Sequence, residues 1–144
     1  MKDMNAEVYR LGEGDSLPEL QKQVLQDAID RYARASGDYN PIHIDQEFAS
    51  RTPLGGTIAH GMLILAYVTQ MIGHTFGRQW NAGGSLKVRF KNPARPGDTL
   101  TIGGKVRSVT DREHIRIFTC EVRCSNQNDD TVITGEISAG VALP

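Results

Sequence analysis

The sequence predicts an α+β fold in which a single antiparallel sheet wraps around one long apolar helix. The segment Ala59–Ile72 is apolar on nearly every side, which is typical of a helix that is buried along most of its surface. From about Ala82 onward, apolar and polar residues alternate in short runs separated by turns, which is the pattern of an antiparallel meander. A sheet that curls around the helix would cover its apolar surface, and both halves of the chain would share one core.

The first half of the chain predicts a helix followed by turns. Apolar residues recur along Gln26–Ala35 at the spacing of one helical stripe, and Gly37 is suited to the left-handed conformation that ends a helix. Asn40 precedes Pro41, which favours an extended or turn conformation there. The other predictions for this half are a strand over Leu17–Val24, a short helical turn over Asp45–Ser50 and a loop over Thr52–Gly56.

The second half predicts the central helix, ended by Gly73, and then strands. Gly103 and Gly104 interrupt one strand and suggest a β-bulge there. The predicted strands are Ser85–Phe90, Thr99–Val109, Ile115–Cys124 and Thr131–Val141. A meander around a buried helix is the hot dog fold, predicted here as a single domain over residues 1–144.

Composition excludes several classes of protein. The net charge is -1 and the pI about 6.4, whereas a nucleic-acid-binding protein usually has a strongly basic face. The apolar run Ile58–Ile72 is shorter than the roughly 20 residues that a membrane helix needs. Both Met1–Asn5 and Glu7–Asp15 are polar, which predicts no signal peptide and a cytoplasmic protein.

The two cysteines, Cys120 and Cys124, predict buried free thiols. On one strand, residues four apart have Cα atoms about 13 Å from each other, and a disulfide requires less than about 7 Å. Two thiols alone are also too few for a zinc site. Small apolar side chains in a reducing cytoplasm are the simplest interpretation.

The stretch Ser36–Asp45 carries the first chemical motif. It places a carboxylate, Asp38, and an imidazole, His43, five residues apart across a stretch stiffened by Asn40 and Pro41. A bent loop can bring both side chains to one point. An acid and a base that share one water can add it across a polarised double bond, and histidine can serve in either role near neutral pH.

The stretch Thr57–Met62 carries the second motif, because Gly61 falls in the first turn of the predicted buried helix. The first amides of a helix lack intrahelical partners and lie at the positive end of its dipole. A glycine lets another group approach them closely. We therefore expect an oxyanion hole for a carbonyl that becomes an enolate.

The two motifs together resemble the MaoC-like dehydratases, and within them the (R)-specific enoyl-CoA hydratases. The matching residues are Asp38-Tyr39-Asn40-Pro41-Ile42-His43, His60-Gly61-Met62 and the turn Arg95-Pro96-Gly97-Asp98, in that order. The resemblance implies a hot dog fold, a homodimer or larger homo-oligomer, and acyl-CoA or acyl-carrier-protein substrates. It also implies that no metal or organic cofactor is needed.

The resemblance also implies roles for individual residues. Asp38 and His43 match the catalytic pair, without an assignment of which is acid and which is base. Gly61 matches the glycine whose N–H holds the thioester oxygen, and Asn40 matches a residue that orients the histidine or fixes the loop. Thr69 stands where relatives have a serine, and His60 is expected to bond a loop carbonyl and position the helix start.

Two other functions compete with the hydratase. A hot dog thioesterase would need a carboxylate on the central helix or nearby, and Ala59–Ile72 contains no Asp or Glu. A non-catalytic acyl-binding or partner subunit would be expected to have lost Asp38 or His43, and both are present. Acyl chain length, the choice between CoA and carrier protein, and the physiological direction stay open at this point.

Overall fold

The protein is described here by a computed structural model that covers residues 7–144. Within that range one antiparallel sheet has five strands in the order β1-β3-β4-β5-β2. The long strands β3, β4 and β5 form its centre, and the short strands β1 and β2 form its edges. The strands are β1 Leu20–Gln23, β2 Ser85–Phe90, β3 Thr99–Arg112, β4 Ile115–Ser125 and β5 Thr131–Ala142.

Five helices of the described residues lie between β1 and β2. They are α1 Gln26–Ser36, α2 Pro41–Ile44, α3 Gln46–Ser50, α4 Gly61–Phe76 and α5 Arg78–Gly83. The central helix α4 buries one face against β3, β4 and β5. That face consists of Leu63, Ile64, Val68, Met71, Ile72 and Phe76. The α+β hot dog fold predicted from the sequence is confirmed.

The sheet covers one face of α4 rather than its whole circumference. Met62 is 57% exposed, although the sequence predicts a helix buried on most sides. A single curved sheet can reach only the side of a helix that faces it. The exposed apolar side chain next to Gly61 is therefore available for another contact.

The predicted ends of α4 are wrong on both sides. The helix begins at Gly61 rather than Ala59 and ends at Phe76 rather than before Gly73. Gly73 lies inside the helix, because burial of Ile72 and Phe76 on either side of it outweighs its low helix propensity of about 1 kcal/mol. Gly77, with φ of 61°, ends the helix instead. The helix α5 that follows is absent from the sequence-based prediction.

The predicted bulge at Gly103 and Gly104 is also wrong. The register of β3 against β4 shifts between Val106 and Ser108. A side chain at Gly104 would approach Leu17 Cδ1 at 2.9 Å, so the glycine permits close packing of the segment before β1. Leu17 itself donates its N–H to the Gly104 carbonyl at 2.9 Å but precedes β1, which is shorter than the predicted Leu17–Val24.

Cys120 and Cys124 are buried free thiols on β4, as predicted. Burial raises the pKa of Cys120 to about 11 and that of Cys124 to about 12. Among residues 7–144, the helices are all too short or too polar to cross a bilayer. Met1–Asn5, part of the argument against a signal peptide, lies outside the described residues, and the single domain over 1–144 stays a prediction.

Candidate active site

His43 lies on the short helix α2, and the residues before it explain why that helix forms. Pro41 occupies the first helical position, where its missing N–H costs no hydrogen bond. The Asn40 side chain caps the helix by accepting the Ile42 N–H at 3.2 Å. The bent loop predicted between Asp38 and His43 is therefore partly helical, and Asn40 fixes it as the cap.

The Asp38 and His43 side chains converge from either end of this turn. Asp38 Oδ2 lies 3.9 Å from His43 Nε2. His43 is 8% exposed, whereas the Asp38 carboxylate is half-exposed. This separation is too long for a direct hydrogen bond, and one water can bridge it. The pair is thus open to solvent on the aspartate side and enclosed on the histidine side.

The other nitrogen of His43 determines which face of the ring is free. Nδ1 lies 2.7 Å from the carbonyl oxygen of Ile58. Because a carbonyl can only accept, Nδ1 carries the proton in the neutral ring. The unshared electron pair of neutral His43 is then on Nε2, the nitrogen that faces Asp38.

His60 adjoins both members of the pair. Its Nε2 lies 3.0 Å from the Asp38 carbonyl, to which it donates. Its ring stacks on His43, with centroids 3.9 Å apart and planes inclined by 26°. Tyr32 of α1 contacts the same ring, with centroids 4.8 Å apart. The loop carbonyl that His60 is expected to bond is therefore the carbonyl of Asp38.

Gly61 is the first residue of α4, immediately after His60. The first amides with a helical partner are those of Leu63 and Ile64, which donate to the His60 carbonyl, so the Gly61 N–H precedes the helical ladder. A Cβ at Gly61 would lie 3.1 Å from Cε1 of Phe90. A mostly apolar cavity of about 260 Å³ opens here, lined by Ala59, Gly61, Ile64, Phe90, Pro93 and Val132 among others.

Thr69 bonds to its own helix. It lies two turns beyond Gly61 on α4, and its hydroxyl donates to the Ala66 carbonyl at 2.9 Å. Among the described residues no hydrogen bond joins Thr69 to Asp38 or His43. The prediction that its hydroxyl takes part in the site stays a prediction.

The sequence interpretation missed Gln26, Tyr32 and Ile58. The Gln26 side chain donates to the His43 carbonyl at 2.8 Å and accepts from the Thr57 hydroxyl at 2.8 Å. Gln26 is an ordinary residue at a helix start, and Tyr32 belongs to an apolar stripe. Ile58 acts through its main chain. None of the three carries a sequence signal for its place in the site.

Asp38, His43 and His60 could each offer one atom to a metal ion, with these atoms within 4.8 Å of one another. The arrangement fits a metal poorly. The two imidazoles are stacked, so the electron pairs of their nitrogens run side by side rather than toward one point. The three side chains suit acid/base chemistry better.

A larger cavity, of about 520 Å³, is lined by Gln26, Ile44, Gln46, Thr57 and Arg95 among others. Neither Asp38 nor His43 lines this cavity or the smaller one. The smaller cavity is lined by Gly61, the residue that follows His60, and is therefore the better place for a carbonyl held by the first amide of α4.

Comparisons with known proteins show the family of the chain. The model of the "MaoC like domain" family matches residues 9–128. A 3-hydroxybutyryl-CoA dehydratase of Methylorubrum extorquens is 30% identical over 81% of this chain and 73% of its own. An (R)-specific enoyl-CoA hydratase of Aeromonas caviae is 30% identical over 87% of this chain and 90% of its own. The unliganded R-hydratase of Pseudomonas aeruginosa superposes with a TM-score of 0.80 at 26% identity, covering 94% of this chain and 84% of the other.

Proposed function

Because the chain belongs to the family of MaoC-like domains, we propose that it is an (R)-specific enoyl-thioester hydratase. It is a hydro-lyase that adds water reversibly to a trans-2-enoyl-CoA or enoyl-acyl-carrier-protein, and in reverse dehydrates the (3R)-hydroxyacyl thioester. The observation that carries the proposal is the separation of 3.9 Å between Asp38 Oδ2 and His43 Nε2. His60, the residue before the first amide of α4, stacks on His43. The relatives named as dehydratase and (R)-specific hydratase support it.

The mechanism begins with one water held between the two side chains. An oxygen about 2.8 Å from both Asp38 Oδ2 and His43 Nε2 would hydrogen-bond to each. His43 Nε2 takes one proton of this water as the oxygen bonds to C3 of the enoyl group. Asp38 holds the other hydrogen and thereby orients the water.

The electrons of the double bond move to the thioester carbonyl. The enolate oxygen accepts a hydrogen bond from the Gly61 N–H at the positive end of α4. The imidazole of His43 then returns its proton to C2, and the carbonyl forms again. Water and proton arrive on the same face, so the addition is syn, and no metal or organic cofactor takes part.

Hydration of crotonyl-CoA, followed by the loss of enoyl-thioester absorbance, tests the proposal. We expect a (3R)-hydroxybutyryl product from the wild type. His43→Ala should lower kcat by roughly 10³-fold and Asp38→Asn by roughly 10²-fold, since removal of a general acid/base typically costs 10² to 10⁴. Asp27→Asn and His74→Ala, at exposed positions, are matched controls that should keep the wild-type rate.

Other products would contradict the proposal in distinct ways. Free CoA without a hydroxyacyl product would indicate a thioesterase, although α4 contains no carboxylate to activate water. An (S) product would exclude the proposed face of attack. Binding of enoyl thioesters without turnover, alone and in the presence of carrier protein, would favour a non-catalytic acyl-binding or partner subunit.

We further propose a homodimer, or a larger homo-oligomer built from it, joined along the open edge of β2. The N–H groups of Lys87, Arg89 and Lys91 face β5, as the bond from Lys91 N to the Val132 carbonyl and the register show. Those of Val88 and Phe90 therefore point to the open edge. Phe90 on that strand is exposed and would be covered. Its ring contacts Gly61, and the next residue, Met62, is also apolar and exposed.

Val88→Pro tests this edge, because it removes an outward N–H without touching the bonds to β5. The wild type should sediment as a dimer or larger, and Val88→Pro should shift toward the monomer with unchanged circular dichroism. A wild-type monomer that turns over substrate would refute the dimer. We also expect the enzyme in the cytoplasm, where its two buried thiols stay reduced.

A further inference from the structure

His60 touches both members of the acid/base pair with one side chain. Its ring covers a face of His43 at 3.9 Å, and its Nε2–H donates to the main-chain carbonyl of Asp38 at 3.0 Å. His60 also precedes Gly61 as the cap residue of α4, and it is only 2% exposed. One buried ring thus joins the base, the carboxylate and the start of the helix that offers the oxyanion site.

His60 also contacts the ring of Tyr32, whose centroid is 4.8 Å away and whose plane is tilted by 56°. Tyr32 comes from α1, His60 from the cap of α4 and His43 from α2. The bond from His43 Nδ1 to the Ile58 carbonyl fixes one atom of the imidazole but leaves the ring plane free to turn about that bond. The stacked faces fix the plane, and with it the direction of Nε2.

The second nitrogen of His60 argues against a purely structural role. Nδ1 is buried and has no hydrogen-bond partner among residues 7–144. A buried acceptor without a partner is unfavourable for folding. Phenylalanine would fill the same space against Tyr32 and His43 without that cost. Stability alone therefore does not account for a histidine here, whereas its Nε2 donor does something phenylalanine cannot.

We propose that His60 is a positioning residue, which holds the His43 ring by stacking and the Asp38 backbone by hydrogen bonding. It thereby keeps His43 Nε2 and Asp38 Oδ2 at the separation that one water bridges. The kinetic consequences rest on the proposed hydratase function, and the structural consequences rest on the geometry alone.

Three substitutions separate the two contacts. His60→Phe keeps the stack and loses the donor, His60→Gln keeps a donor near the position of Nε2 and loses the stack, and His60→Ala loses both. For His60→Phe we expect kcat for crotonyl-CoA to fall roughly 10- to 100-fold with KM within about twofold. Its Tm should stay within about 2 °C of the wild type or rise, because the unpartnered nitrogen is gone. His60→Gln should retain more activity than His60→Ala.

His74→Gln is the matched control, since His74 is exposed near the other end of the same helix. It should leave kcat, KM and Tm unchanged. Unchanged kcat in His60→Phe and His60→Ala would overturn the proposal. So would a loss of rate that merely follows the loss of folded protein in every variant.

An NMR measurement that needs no catalytic turnover tests this inference separately from the proposed function. In the wild type the His43 Nδ1–H proton, held by the Ile58 carbonyl, should give a sharp and slowly exchanging NMR signal. In His60→Ala it should broaden and exchange faster, as the ring loses its fixed plane. A signal unchanged in His60→Ala would overturn the positioning role. If the wild type hydrates no enoyl thioester, the proposed function fails, and this signal still decides the role of His60.

Discussion

Gly61 is the residue at which we expect one added methyl group to lower catalytic activity most strongly. A Cβ there would lie 3.1 Å from Phe90 Cε1, beside the amide that we propose holds the thioester oxygen. Gly61→Ala should therefore lower kcat roughly 10- to 100-fold, as expected for a disturbed oxyanion hole. Steady-state kinetics with crotonyl-CoA measure the loss. Gly61→Ala combined with Phe90→Ala should recover part of it, because the crowded ring is removed.

Gly73→Ala in the same helix is the control for this substitution. Among the described residues nothing lies within 4 Å of a Cβ at Gly73. The change should stabilise the protein by about 1 kcal/mol in chemical denaturation, since alanine is the better helix former. Equal loss of activity in Gly61→Ala and Gly73→Ala would show that the effect belongs to the helix rather than to the oxyanion site.

For individual residues of the candidate site, the sequence predicts which residues take part but not how their side chains are oriented. Asp38, His43 and Gly61 follow from the two motifs. In the structure Asp38, His43 and His60 lie together and Gly61 comes directly after His60, while their roles stay predictions. The free nitrogen of His43 could not be predicted, because it is set by the carbonyl of Ile58, which any residue type would supply.

Among the elements, the four-residue helix α2 depends most on a single side chain. Asn40 caps it through the Ile42 N–H. Asn40→Ala should cost about 1 kcal/mol of unfolding free energy, and should lower kcat several-fold because His43 lies on this helix. Denaturation and kinetics measure the two effects. Asn40→Ser, which restores an acceptor, should recover most of both, and failure to do so would argue against capping as the cause.

Elements whose bounds follow from local pattern were predicted well. β2 was predicted at its observed bounds, Ser85–Phe90, because alternation and the flanking turns agree there. The end of α4 was missed, since burial of Phe76 against Phe118 is a long-range contact that Gly73 does not reveal. The helix α5 and the register shift near Arg107 likewise depend on neighbours distant in sequence.

For the whole molecule, the buried thiols predict how stability depends on pH. Burial raises the pKa of Cys120 to about 11 and that of Cys124 to about 12, above the ordinary value of 9.0. The unfolded chain therefore releases these protons first. Their contribution is fully present below about pH 9 and is lost as pH rises through 11 to 12.

Urea unfolding between pH 8 and about pH 10.5 measures this loss, which should be smaller in the double variant Cys120→Ala/Cys124→Ala. Ellman's reagent at pH 8 should label the wild type only after denaturant is added. Rapid labelling of the folded protein would contradict the burial of the thiols on β4.

The residues of the proposed mechanism belong to one continuous stretch, Asp38–Gly61, whereas the sheet is built from strands distant in sequence. Among the described residues, the main-chain bond from Ala59 to Ala94 joins this stretch to the segment before β3, whereas the bond from Ile58 to Ile42 lies within the stretch. Local opening of this stretch needs less free energy than melting the sheet. On heating, the enzyme should therefore lose its activity at a lower temperature than that at which the sheet unfolds. The amides of α2 and α3 should exchange with solvent well before those of β4.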